Sequence, residues 1–223
     1  MKRFLRRMNR GIALAVVLVI GLVTFLVVDN IRFDKERDVI RTQITKLLEK
    51  GAGMNVFPAQ YNEPGKEIPE SAADEKVKQA RAFLETYYTN TNDAQFFLDC
   101  IETSLRERDP GTGIVYSEEY KLERVKSIHP QGSGYASARV EFTYHAEYAG
   151  TLDLYTVLGN TNISYTGYYG EEGPDDGDIN RRMRLTVRCE SPVELVKVDG
   201  QWKIRNSYVL SMSTSETPVE GDA

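Results

Sequence analysis

The sequence predicts an α+β protein: an N-terminal transmembrane helix and stalk, then a domain of helices packed on one face of a curved antiparallel sheet. Three observations lead there. Residues 11–28 carry no charge at all. Two segments between about 71 and 109 place apolar residues at helical spacing. From residue 114 onward the chain turns to runs rich in Val, Thr, Tyr and Ile, separated by turn residues. Helices followed by long strands argue for helices on one side of an antiparallel sheet.

The anchor comes first. Every residue from Gly11 to Val28 is apolar, glycine or Thr24. Eighteen helical residues at about 1.5 Å each span roughly 27 Å, close to the hydrocarbon thickness of a bilayer. A cleaved signal peptide has a shorter apolar core and ends in small residues. Here the run ends Phe25-Leu26-Val27-Val28-Asp29, without such a site. Lys2, Arg3, Arg6, Arg7 and Arg10 precede the span, whereas both signs follow it. Short basic tails stay inside, so residues 1–10 are expected to be cytoplasmic and residues 29–223 outside the cell membrane.

Net charge narrows the partners. The chain carries −5 overall, from 28 basic and 33 acidic residues, and five of the basic ones sit in the first ten positions. The remainder is strongly acidic and would repel a phosphate backbone, which excludes nucleic acid. The basic tail suits an anionic inner leaflet.

Residues 29–50 read as a stalk helix. Phe33, Ile40 and Leu47 recur every seven residues, with Ile44 and Leu48 on an adjoining stripe. Such a stripe packs either on the chain's own domain or on a second stalk. Gly51 and Gly53 stop the helix, and Pro58, Pro64 and Pro69 punctuate a linker over 51–70, part of which is expected to lie against the domain. Residues 71–212 form the domain, and 213–223 a disordered tail.

Within the domain, Ser71 and Asp74 have capping-box spacing for a first helix. Val77, Ala80, Phe83, Leu84, Tyr87 and Tyr88 trace its apolar face. Phe96, Phe97, Cys100, Ile101 and Leu105 trace that of a second helix, ended by Asp109-Pro110-Gly111. Strands are expected at about 114–129, 135–149, 151–169, 181–190, 193–198 and 202–212. Asp199-Gly200 between two alternating runs is the clearest hairpin signal. Trp202 beside Ile204 is expected to point inward, onto the helical face bearing Phe97 and Ile101.

Phe83-Leu84-x-x-Tyr87-Tyr88, then Phe97-Leu98, then strands closing in Asp199-Gly200-Gln201-Trp202-Lys203-Ile204, resembles the nuclear transport factor 2-like superfamily over residues 71–212. The resemblance implies a cone in which a bent sheet wraps the helices around a cavity. Such cones serve as isomerases and dehydratases, small-molecule binders or interaction domains, so the fold alone assigns no function. One anchor, a stalk and such a cone also resemble the assembly components of type IV secretion and conjugation machines of the bacterial envelope, where the cone is an interaction module.

Chemistry is sparsely signalled. An isomerase-type cone needs a carboxylate base and a tyrosine donor; Glu141, Glu147 and Asp153, near Tyr144, Tyr148 and Tyr155, are the candidates. Neighbours of this kind arise freely in a tyrosine-rich sheet. His129 and His145 lack metal-ligand spacing. Glu171, Glu172, Asp175, Asp176 and Asp178 lack the spacing of a calcium loop and read as a solvated turn. Cys100 and Cys189 read either as two small buried residues or as a disulfide. No phosphate-cradling loop or nucleophile elbow occurs. No catalytic, cofactor-binding or metal residue is therefore assigned. The expected role is a membrane-anchored extracytoplasmic interaction module of an envelope assembly, with other envelope proteins as partners and self-association through stalk or domain as an option. The alternatives are a cone binding a small apolar ligand and an isomerase-like enzyme.

Overall fold

A computed structural model describes residues 10–89, 92–106, 113–159, 162–165 and 181–219. Lys2, Arg3, Arg6 and Arg7, the side chain of Arg10 and the acidic turn at 171–178 lie outside the described residues. The chain divides into two compact units, residues 1–40 and 41–223.

Helix α1 runs Arg10–Gly51 and contributes to both units. In the first unit its large apolar side chains from Ile12 to Phe25 are exposed, Leu14, Val17 and Leu18 at 62%, 64% and 64%. Among the described residues no helix is long and apolar enough to cross a membrane; the side chain of Leu26, within the apolar run, lies outside that description.

The second unit is α+β, as the patterning predicts. Residues 41–51 belong to it, with Ile44, Leu47 and Leu48 buried. Gly51 closes α1 where a Cβ would sit only 2.5 Å from a Val157 methyl group, so only glycine permits this approach. The segment after Gly51, part of which is expected to lie against the domain, forms a strap bound to it. Phe57 is 2% exposed, a 3-10 turn spans Ala59–Tyr61, Asn62 Nδ2 donates to the Val115 carbonyl at 2.6 Å, and Lys76 Nζ donates to the Gly53 carbonyl at 3.0 Å. The compact unit begins at Arg41.

Helix α2 spans Glu70–Tyr87 and buries Ala73, Val77, Ala80, Phe83 and Leu84. Its N-cap is Pro69, without a side-chain cap, so the Ser71 capping box does not form. Proline lacks an N–H and is fixed at φ −60°, and it starts the helix earlier; Glu70 in the first turn suits the positive end of the dipole. Helix α3, Asn92–Arg106, packs on α2.

The strands are β1 Gly113–Pro130, β2 Tyr135–Gly150, β3 Leu152–Tyr155, β4 Asn162–Tyr165, β5 Arg182–Val198, β6 Gln201–Ser207 and β7 Ser211–Pro218. The main sheet is antiparallel in the order β1-β2-β5-β6, with β7 also on β5, and β3 pairs β4 separately. The two runs expected at 181–190 and 193–198 are one strand, β5. β6 pairs its second half and β7 its first, so β6 and β7 share one lane, interrupted at 208–210 opposite Ser191-Pro192. Proline cannot donate to the ladder, which accounts for the break. Residues 213–218, expected as disordered tail, are therefore strand; their Ser/Thr-rich composition hid a segment held by main-chain pairing.

On β2 the even residues from Ala136 to Tyr148 face inward and are buried, while Arg139, Glu141, His145 and Glu147 face outward. Trp202 is 3% and Ile204 2% exposed. β6 packs on α2 and α3 packs on β3, while the Phe97 ring stacks on Tyr88, which is bridged to Ile204. Tyr88, just past α2, forms a parallel bridge to Ile204 and draws α2 onto β6. Replacing a buried large aromatic by alanine costs about 3–5 kcal/mol. Trp202→Ala in the full chain in detergent should accordingly lower the thermal midpoint of the domain strongly, read by near-ultraviolet circular dichroism; a parent-like melt would mean an exposed indole.

Candidate functional site

The inner face of the sheet carries one ionisable cluster. Pairing of Glu118 with Ala146 and of Tyr120 with Tyr144 puts these side chains on the buried side. The Tyr144 hydroxyl donates to Glu118 Oε1 at 2.5 Å. Asn55 Nδ2 donates to the same oxygen at 2.6 Å, and the Asn55 backbone N–H donates to Oε2 at 2.8 Å. Three donors thus hold one carboxylate, two of them from the strap. Asn55 is 1% exposed, and its Nδ2 also lies 3.4 Å from the Tyr155 carbonyl.

The network continues inward. The Tyr120 and Tyr144 rings are 4.9 Å apart. The Tyr120 hydroxyl accepts from Val157 N–H at 3.1 Å, and the Tyr88 hydroxyl donates to the Val157 carbonyl. Ser207 Oγ accepts from Gly159 N–H at 3.1 Å. Burial first, and then the Glu118 charge, push the Tyr120 phenol well above its ordinary range. Burial likewise raises Tyr88, against an opposing hydrogen bond with Ser207. Both phenols remain neutral and act as hydrogen-bonding groups rather than bases.

The carboxylates nominated from sequence lie elsewhere. Glu141 faces outward and meets Arg124 at 3.0 Å and Lys126 at 2.6 Å. Lys126 also reaches Glu190 at 2.7 Å, and Glu147 meets Arg184 at 2.5 Å. The Lys126 ammonium, more than any other group, holds the Glu141 carboxyl below its ordinary value. Asp153 is exposed on β3. Of the nominated tyrosines, Tyr144 and Tyr148 are buried and Tyr155 is half-buried. Tyr144 joins a carboxylate, and that carboxylate is Glu118. Sequence reasoning missed it because its main partner, Asn55, comes from a segment read as linker. The available signal was strand alternation, which aligns Glu118 with Tyr120.

His145 Nδ1 lies 3.0 Å from Thr186 Oγ1, a side-chain pairing within the sheet. Among the described residues no three His, Cys, Asp or Glu groups are gathered as metal ligands. Cys100 and Cys189 are free thiols, which resolves the open choice against a disulfide. Surface cavities lie among the described residues. One of about 530 Å³ lies between α2, α3 and the β5–β6 turn, lined by Leu84, Tyr88, Leu98, Val198 and Lys203. Another, about 510 Å³, lies by Lys121, Glu141, Arg188, Glu190 and Met212.

The chain matches no family model and no curated protein sequence.

As built, the cluster clamps the strap rather than presenting a free base. Hydrogen bonds to a charged acceptor contribute about 1.5–3 kcal/mol each. Asn55→Ala should destabilise the domain by about that amount. Asn55→Asp, which sets two carboxylates together, should be worse at neutral pH and recover on acidification; urea unfolding at pH 7 and pH 4 distinguishes the two.

Burial also raises the Cys189 thiol to about 11 from 9.0. An acid whose folded pKa is raised stabilises the fold below its unfolded value and loses that contribution as pH climbs to the folded one. Parent stability should therefore fall between pH 9 and 11 relative to Cys189→Ala, by on the order of 1–3 kcal/mol, in denaturant titrations run at each pH.

Proposed function

We propose that the protein is a membrane-anchored interaction module whose domain lies outside the cell membrane, a structural component of an envelope assembly such as a secretion or conjugation apparatus. The anchor reading rests on the uncharged run at 11–28 and on the exposed apolar side chains of α1. Five successive residues, Val16 to Ile20, are all exposed, and at 3.6 residues per turn they encircle the helix. Leaving that surface in water is costly at about 25 cal/mol per Å². A bilayer removes the cost, and the basic tail sets the direction.

The module reading rests on one observation: the inner carboxylate is engaged by the chain's own strap through Asn55. A general base must reach a substrate proton directly or through one water. Glu118 instead accepts from Asn55 and Tyr144. The outward face meanwhile offers a ladder of mixed charge suited to selecting partners, with Arg124, Lys126, Glu141 and Glu190 among its members. The long antiparallel sheet with helices on one side is compatible with a nuclear transport factor 2-like cone.

Two readouts in cells test the proposal. A reporter fused after Ala223 should be active only outside the membrane; cytoplasmic activity would overturn the orientation. Tyr144→Phe, if stably folded, should still complement a deletion strain and recover its partners. Loss of function with partners still bound would favour the isomerase-like reading.

A further inference from the structure

The two edges of the main sheet are built differently. β1, at one edge, carries Glu118, Glu119, Lys121, Glu123, Arg124 and Lys126, and its register against β2 shifts at three places. Charges and bulges of this kind keep a strand edge from pairing with another chain. The opposite lane, β6 followed by β7, lacks them at its far end. From Asn206 to Val219 the only charged residue is Glu216. β7 pairs β5 in unbroken register from Ser211 opposite Glu190 to Pro218 opposite Met183. Among the described residues no strand pairs with its other side.

The same stretch is apolar where it should be guarded. Tyr208, Leu210 and Met212, at every second residue, are 52%, 51% and 45% exposed. All of β7 except Glu216 is exposed, so main-chain bonds and not packing hold it. A regular edge with a single charge beside exposed apolar side chains is a template for a further strand.

We propose that β7 is a self-association edge, at which two copies of this chain pair antiparallel through residues 211–217 and join their sheets across a two-fold axis. The sequence selects a second copy over an unrelated strand because it is self-complementary in that arrangement. Centred on Thr214, the pairing sets Ser213 against Ser215, Ser211 against Thr217 and Met212 against Glu216. Hydroxyl pairs of this kind favour antiparallel ladders, and the single carboxylate never faces its own copy. A two-fold operator makes the contact closed, which limits it to a dimer. Pro218, which has no N–H, marks its natural end. This surface deepens the interaction-module reading and rests on it only for biological purpose, since the edge belongs to the unit 41–223.

The test uses the full chain in detergent micelles, in a Cys100→Ser background that leaves the buried Cys189 in place. Light scattering should give a dimer at micromolar concentration. Thr214→Lys, on an exposed side chain, should weaken it at least tenfold while leaving the thermal midpoint unchanged. On mild oxidation Thr214→Cys should form a disulfide between copies, and Lys121→Cys on β1 should not. A monomeric parent, or a dimer indifferent to Thr214→Lys with no Thr214→Cys cross-link, would overturn the edge. Envelope partners still recovered with such a monomer would leave the module reading standing, whereas loss of all partners would sink both.

Discussion

The second unit depends on strand β2. It is paired along nearly its whole length on both sides, to β1 and to β5, so its two-residue alternation fixes which face of three strands is buried. A slip of one residue would turn Val140, Phe142, Tyr144, Ala146 and Tyr148 to water and Arg139, Glu141 and Glu147 into the core. Burying such charges unpaired is far costlier than any ladder bond they could keep. The register is therefore over-determined. The outward ion-pair ladder and the inward tyrosine cluster are its two consequences.

The strap follows from the inward face. A carboxylate at Glu118 on the buried side needs donors, and β2 supplies Tyr144. The remaining donors come from outside it, through Asn55, whose position is set by the end of α1 and the turn after Gly51. Gly53, at φ 79°, accepts from Lys76 on α2 and so ties the same turn to the helical layer. Helix end, strap and sheet interior thus form one polar network, and the acid acts as a structural group in its own fold.

Much of this architecture was legible in the residues. Alternation in Ala136 to Tyr144 identifies β2, and Asp199-Gly200 identifies the last hairpin, because period and turn chemistry are local properties. What was hidden is non-local. Asn55 carries no local mark of the carboxylate it meets 63 residues later. β7 is polar and exposed, so hydropathy hides it; its order comes from a neighbour's unpaired main chain. Glu141 looked like a catalytic candidate near Tyr144, yet strand residues an odd number apart point to opposite faces, which separates the two. Pro69, with its fixed φ, starts the helix ahead of Ser71.

The Asp199-Gly200 turn bears on the order of events during folding. Asp199 at φ 49° and Gly200 at φ 83° place both central residues in the left-handed region, as a two-residue hairpin whose twist matches its strands requires. β-Hairpins form in about 1–10 μs, so β5 and β6 can meet early. Pairing β5 to β2 instead closes a long intervening segment, with Ala149 opposite Arg182 at its inner end. Loop closure of that kind is purchased before any long-range contact repays it. Joining the β5–β6 ribbon to the β1–β2 ribbon is thus the pairing with the largest loop-closure cost. Until it occurs, the apolar inner faces of both ribbons stand open to neighbouring chains.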